Sequence, residues 1–305
     1  MNAVIVKLRG GLGNQLFQYA YALKVQKCFY PDKKIVLDTS YFNSNHIRKL
    51  DLNKLNIENC EWNADKKCIF DITYDLYRGI ARLFGNRFNF SFSGKILDDG
   101  YIYCNRTFNL KLRRKKCKAV YLAGYFQQEQ DLREIRADLE KTIIPKQPLS
   151  SEAEKYQRYL NYSHMKNMRN IAISIRIGDD YIKYGWPICS HEFYEKGIEK
   201  LDGVTNQIFV FADEIDKVIN EAWFSAYRNV IYVRNMNNVE SLYIMRQCDD
   251  FIISNSTFAW WGAYLGERID KHIIAPKFFY KDVEMQKSGL CIPSAYYLDN
   301  SDGEE

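Results

Sequence analysis

Arg176 lies in Ile171-Ala172-Ile173-Ser174-Ile175-Arg176-Ile177-Gly178-Asp179-Asp180, near the carboxyl end of a predicted strand Ile171 to Ile177. The isoleucines alternate with Ala172, Ser174 and Arg176, so a period of two sets the arginine opposite the apolar face. A guanidinium at that edge can grip a diphosphate in a bidentate fork. An ion pair with Asp179 or Asp180 that ties down the turn is the plainer use. Phe209-Val210-Phe211-Ala212-Asp213-Glu214 repeats the arrangement with a carboxylate after the next strand. Asp213 could accept from a guanine base or a ribose hydroxyl, or cap a helix that begins near Ile215. A third stretch, Ser254-Asn255-Ser256-Thr257, joins the apolar Phe251-Ile252-Ile253 to a helical face of Phe258, Trp261, Ala263 and Leu265. Small polar residues there cap a helix, and its free N–H groups make an anion site.

The turn Gly10-Gly11-Leu12-Gly13-Asn14-Gln15 invites a dinucleotide-binding reading, with Asp38 at the end of the next strand as the ribose carboxylate. The spacing fails, because the third small residue is replaced by Leu16, and no Gly-Lys-Ser/Thr follows for a P-loop. Two uses stay open: close backbone approach to a ligand, with Asn14 and Gln15 offering amides, or a tight turn alone. No two aspartates stand two residues apart, and the adjacent pairs cannot easily aim both carboxylates at one ion from a strand. The eight cysteines form no C-x-x-C pair, and the four histidines at 46, 164, 191 and 272 suggest no triad. His191 is expected to open a helix capped by Ser190. No metal is therefore expected, and charge on a diphosphate would fall to Arg176 and helix N-termini.

These residues must be held by elements whose order is itself informative. Strand and helix patterns alternate, which implies an α/β architecture with parallel sheets. One run has strands at Ala3 to Leu8, Lys34 to Asp38 and Ala119 to Phe126, with a helix from about Asn14 to Cys28. A second has strands at Ile171 to Ile177, Ile208 to Phe211, Val230 to Val233, Phe251 to Ile253 and His272 to Ala275. Pro145 and Pro148 place a linker between residues 145 and 170, which gives expected domains of 1–160 and 161–305. Two Rossmann-like domains facing a central cleft would bind ligand outside the carboxyl ends of their strands.

The chain has 305 residues, 27% charged and 47% hydrophobic, with a net charge of +5, as in an ordinary soluble globular protein. That charge calls for no nucleic-acid partner and suits anionic ligands or a membrane surface. The run Lys111 to Lys118 concentrates it and reads first as a solvated loop. Unpaired cysteines, no signal peptide and no long apolar run point to a soluble cytoplasmic protein. The aromatic-rich stretch Tyr41 to Asn109 could meet a sugar or fill a core.

Taken together, six ordered segments resemble the α-1,2-fucosyltransferases of glycosyltransferase family 11. They are Gly10 to Ala20, Gly124-Tyr125-Phe126-Gln127, Arg176-Ile177-Gly178-Asp179, Cys189-Ser190, Phe211-Ala212-Asp213-Glu214 and Asn255 to Gly262. The resemblance implies a metal-independent, GT-B-like enzyme without cofactor that moves L-fucose from GDP-β-L-fucose, with inversion, to the 2-hydroxyl of a galactose or similar sugar. It implies a galactose-containing glycan acceptor, lipid-linked in some settings, and peripheral association with the inner face of the membrane. Carried over by position, Arg176 would hold the diphosphate and Asp213 the guanine. Asn255, Ser256, Thr257 and Phe258 would line the phosphates, and Gly11, Gly13, Asn14 and Gln15 would approach the donor. Asp179 is the candidate base. The family's His-x-Arg-Arg-Gly-Asp-Tyr departs here at Ser174, Ile177 and Asp180.

Overall fold

In a computed structural model, the described residues are 2–43, 48–64, 95–98, 101–104, 118–202, 205–280 and 283–301. They form two six-stranded sheets and a two-stranded hairpin. Contacts divide the chain into two compact units. Met1–Asn53, Ile57–Gln127 and Asp131–Thr142 make the first; Lys54–Asn56, Gln128–Gln130 and Ile143–Glu305 make the second. The boundary expected at residue 160 falls inside the helix Ser151–Met165, which lies in the second unit. Pro145 and Pro148 sit before that helix, and the Ser150 hydroxyl caps it by accepting from the Ala153 N–H. Both prolines lie inside the second unit, just after it resumes at Ile143, and the helix follows them directly with no linker after residue 150.

In the first unit, β1 (Ala3–Lys7), β2 (Lys34–Asp38), β3 (Cys60–Asn63), β4 (Lys95–Asp98), β5 (Tyr101–Cys104) and β6 (Ala119–Leu122) are ordered β3-β2-β1-β6-β5-β4. All pairs are parallel except β4 with β5. The helix Leu12–Phe29 connects β1 to β2 and buries most of its first three turns. Asp38 is internal: its carboxylate accepts from the Tyr121 hydroxyl and the Ser40 N–H at 2.9 and 3.0 Å. Strand β6 stops at Leu122, four residues short of its expected end, and Phe126 stacks on Tyr21 instead.

The second unit holds β7 (Asn170–Ile175), β8 (Gln207–Ala212), β9 (Val230–Tyr232), β10 (Asp250–Ile252), β11 (Ile273–Pro276) and β14 (Ala295–Leu298), with β12 (Phe278–Tyr280) and β13 (Val283–Glu284) as the hairpin. Its order is β14-β11-β10-β7-β8-β9, all parallel. The first strand is thus central, with later strands added on both sides, as in a doubly wound nucleotide-binding sheet. Register puts Ile173, Val210, Ile252 and Ile274 side by side on one face. The helix His191–Lys200 covers that face, and Gly197 lets it come so close that a Cβ there would lie 3.0 Å from Ile252. On the opposite face, Gly266 packs against Phe251, the neighbour of Ile252. Burial on both faces explains why these strands read as continuous apolar runs. The α/β class with two Rossmann-like halves follows from these sheets.

Candidate functional site

The switch point of the second sheet lies between β7 and β10, where strand order reverses and loops diverge to opposite sides. The loops after β8, β7 and β10 carry Asp213, Arg176 and Asn255 to Phe258 to one carboxyl edge. Strand β7 ends at Ile175, so Arg176 and Ile177 lie in the turn beyond it, where strand alternation no longer sets their direction. Ile177 turns into the core at 4% exposure. Arg176 is fixed from two sides: its Nη1 donates to Asp213 Oδ2, and its guanidinium lies 4.6 Å over the Tyr181 ring.

Asp213 does more than pair with Arg176. Its two oxygens also accept the backbone N–H groups of Ile177 and Gly178 at 3.0 and 2.9 Å. It leaves the following helix uncapped, since Ile215–Asn220 begins after Glu214 with no side-chain cap. Asp179, the candidate base, is exposed at the first position of the helix Asp179–Tyr184. Behind Arg176, Ser174 is buried, and its carbonyl accepts from the Ser254 N–H and the Tyr194 hydroxyl. Burial first, then the neighbouring Cys189, pushes the Tyr194 phenol well above its ordinary 10.0. The expected Ser190 cap is present, accepting from the Phe193 N–H.

At the third loop, Ser256 is the N-cap of the helix Thr257–Tyr264, its hydroxyl accepting from the Phe258 N–H at 3.2 Å. Ser256, Thr257 and Phe258 are half-buried at that end. Trp260 and Trp261 are fully buried, and the Trp260 indole N–H donates to Leu290. They pack the helix that presents the cap. Asn255, expected beside the phosphates, is 1% exposed, and its Nδ2 donates to the carbonyls of Pro187 and Phe279 at 2.6 and 3.2 Å. It braces the loop from inside. Ser254 Oγ and Asn255 Oδ1 are buried there without a protein hydrogen-bond partner.

Within the first unit, Gly10 takes φ +79°, a left-handed conformation that favours glycine, and a Cβ there would meet Asn14 Nδ2 at 2.8 Å. Gly11 is the N-cap of Leu12–Phe29, and a Cβ on it would face open space. Gly13 is buried; half-buried Asn14 accepts from Gln127 Nε2 at 2.9 Å, linking the loops after β1 and β6. Gln15 corrects the expectation that it reaches a ligand. It is fully buried; Oε1 accepts from the Asp51 and Leu52 N–H groups, and Nε2 donates to the Gly10 and Lys49 carbonyls. With two donors and two acceptor positions used, it has nothing left to offer.

Sequence reasoning missed Tyr181, which joins two of the three loops: its ring carries Arg176, and its hydroxyl donates to the Asn255 carbonyl at 2.9 Å. An aromatic five residues past the arginine was the available signal. The expected acceptor stretch 41–109 and the basic run 111–118 lie largely outside the described residues. Among the described residues, no three His, Cys, Asp or Glu side chains cluster as a metal site, and no helix is long and apolar enough to cross a membrane. Cys28, Cys60, Cys189, Cys248 and Cys291 are free thiols.

Two largely parallel sheets, the second doubly wound with Arg176 fixed beside its switch point, define an α/β protein of the class whose ligands lie outside the carboxyl ends of the strands. Its family is more particular. The model for glycosyl transferase family 11 matches residues 86–296, so the chain belongs to that family of glycosyltransferases. It is similar to the O-antigen biosynthesis glycosyltransferase WbnK of Escherichia coli, 29% identical over 90% of this chain and 93% of that one. An α-1,2-colitosyltransferase of Escherichia coli is 26% identical over 95% and 97%. Among solved structures, fucosyltransferase NodZ from Bradyrhizobium is similar at 13% identity over 86% of this chain and 92% of that one, with a TM-score of 0.48.

Proposed function

We propose that the chain transfers L-fucose from GDP-β-L-fucose to the 2-hydroxyl of a galactose or similar sugar in a glycan precursor, with inversion. The observation that carries this reading is Arg176, held by Asp213 and Tyr181 beside the half-buried helix end Ser256 to Phe258. A diphosphate there would meet a planar cation and backbone N–H groups. The acceptor oxygen attacks the anomeric carbon from the face opposite the phosphate, and that carbon's bond to the β-phosphate oxygen breaks. GDP leaves with the electron pair, and the acceptor's proton passes to Asp179, which stands exposed at the same edge. Arg176 and the N–H groups stabilise the leaving charge without a resident metal or other cofactor. Gly11 has open space beside its Cα, which leaves the turn of the first unit open to close backbone approach.

A second donor is favoured by a specific observation: one relative is an α-1,2-colitosyltransferase. The colitosyl donor would use the same diphosphate grip. The deciding assay gives the purified chain GDP-fucose and a galactose-terminated glycan in EDTA and measures GDP release against an acceptor-free control. The product linkage is then read by NMR. Acceptor-dependent release and a 2-linked α-fucoside are expected. No transfer to any acceptor, with GDP bound tightly, would sink the reading in favour of another donor sugar. Activity lost in EDTA and restored by magnesium would overturn its metal-free part.

A further inference from the structure

Trp186 stands apart from the other tryptophans of the second unit's carboxyl edge. Trp260 and Trp261 are fully buried, whereas Trp186 keeps 42% of its surface exposed. Single exposed apolar side chains are ordinary on a protein surface. What distinguishes this one is how firmly it is held. Gly185, at φ +62°, ends the helix Asp179–Tyr184 and turns the chain out of it. The Trp186 N–H donates to the Tyr181 carbonyl at 3.1 Å, and its indole meets the Tyr181 ring edge to face at 4.8 Å. The adjoining Pro187 carbonyl accepts from the buried Asn255 side chain at 2.6 Å. Indole, guanidinium and the 254–258 loop are therefore parts of one braced assembly.

A diphosphate gripped by Arg176 leaves two directions along the sheet edge. Toward β8 stands Asp213, a hydrogen-bond acceptor. Toward β10 stand Tyr181 and Trp186, an aromatic surface. A nucleoside carries N–H and hydroxyl donors and suits the carboxylate side. A 6-deoxyhexose carries a C–H face and a methyl group, and suits the aromatic side. We infer that Trp186 is a specificity-determining contact for the transferred sugar, its indole packing against the C–H face and methyl of a 6-deoxyhexose. A hexose with a hydroxymethyl group would set a hydroxyl against the ring. This rests on the reading of Arg176 as the diphosphate grip.

The test uses the full chain, Trp186→Phe and Trp186→Ala, titrated calorimetrically with GDP and assayed with GDP-fucose and GDP-mannose. GDP affinity is expected to stay within about twofold in both variants, which also reports that the edge is folded. The KM for GDP-fucose should rise about tenfold or more in Trp186→Ala and less in Trp186→Phe, with preference over GDP-mannose narrowing in step. Parallel losses of GDP and GDP-fucose binding would overturn the inference, as would an unchanged GDP-fucose KM in Trp186→Ala. A wild-type chain that binds no GDP would sink the diphosphate reading and the inference with it. Wild-type GDP binding with indifferent variants would sink the inference alone.

Discussion

Asp213 holds Arg176 and the turn beyond it with one carboxylate. Oδ2 takes the guanidinium and the Gly178 N–H, while Oδ1 takes the Ile177 N–H. Both side chains are mostly covered, at 15% and 19% exposure, so the pair is screened less than a surface ion pair. The resulting arginine is aimed before any substrate arrives.

Asp213→Asn places an amide N–H against donors in either orientation. Affinity for GDP and for inorganic pyrophosphate should both fall about tenfold, because the arginine and its turn lose their anchor. Arg176→Ala should remove GDP-fucose turnover by at least about a hundredfold. Calorimetry with the two anions separates the roles of Asp213: a base contact alone would weaken GDP and leave pyrophosphate untouched.

Gln15→Ala deletes four internal hydrogen bonds and leaves buried donors and acceptors unpaired. Unfolding of the first unit should become easier by about 2–4 kcal/mol, measured by urea denaturation. A Gln15 that served mainly as a ligand contact would leave that transition in place.

Gly262→Ala would put a Cβ 2.3 Å from Met245 Sδ and 2.9 Å from its Cγ, in a core where Met245 is 1% exposed. Overpacking of this kind costs about 1–3 kcal/mol. Thermal melts of Gly262→Ala, Met245→Ala and the double variant should be non-additive, the smaller Met245 side chain relieving the clash.

Tyr194→Phe tests the alkaline limit. The folded-state phenol titrates well above its ordinary 10.0, so its neutral form is the one the fold favours. That stability is complete below pH 10 and is lost as pH rises from there toward the folded value. Removing the hydroxyl should cost about 1 kcal/mol at neutral pH through the bond to Ser174, yet flatten the decline above pH 10. Urea midpoints on either side of that pH would show it; parallel declines in both proteins would refute the assignment.

The sheets were legible because both faces of a parallel sheet are buried, with Ile171, Ile173 and Ile175 on one and Phe209 and Phe211 on the other. Their burial pattern is local in sequence. Arg176, Asp213 and Ser256 were legible for a related reason, since the first two immediately follow such strands and Ser256 follows one by a short turn. What they do there was not. Asp213 serves the turn at Ile177 and Gly178, thirty-six and thirty-five positions away, and that pairing depends on the β7–β8 register. Tyr181 sits in a short helix without apolar period, so its place five residues past Arg176 was the single local mark of the support it gives that residue. Gln15 and Asn255 looked like ligand contacts because an amide beside glycine or serine reads the same whether it points inward or outward.

Those two carboxamides carry a warning for anyone mapping this enzyme by substitution. Each is an internal strut, Gln15 for the loop at Lys49 to Leu52 and Asn255 for the segments at Pro187 and Phe279. Replacing either should silence activity as thoroughly as removing a group that touches the sugar nucleotide. A screen scored only on product formed would therefore draw the active site too large, and only a companion measure of folding would shrink it back to the residues that meet substrate.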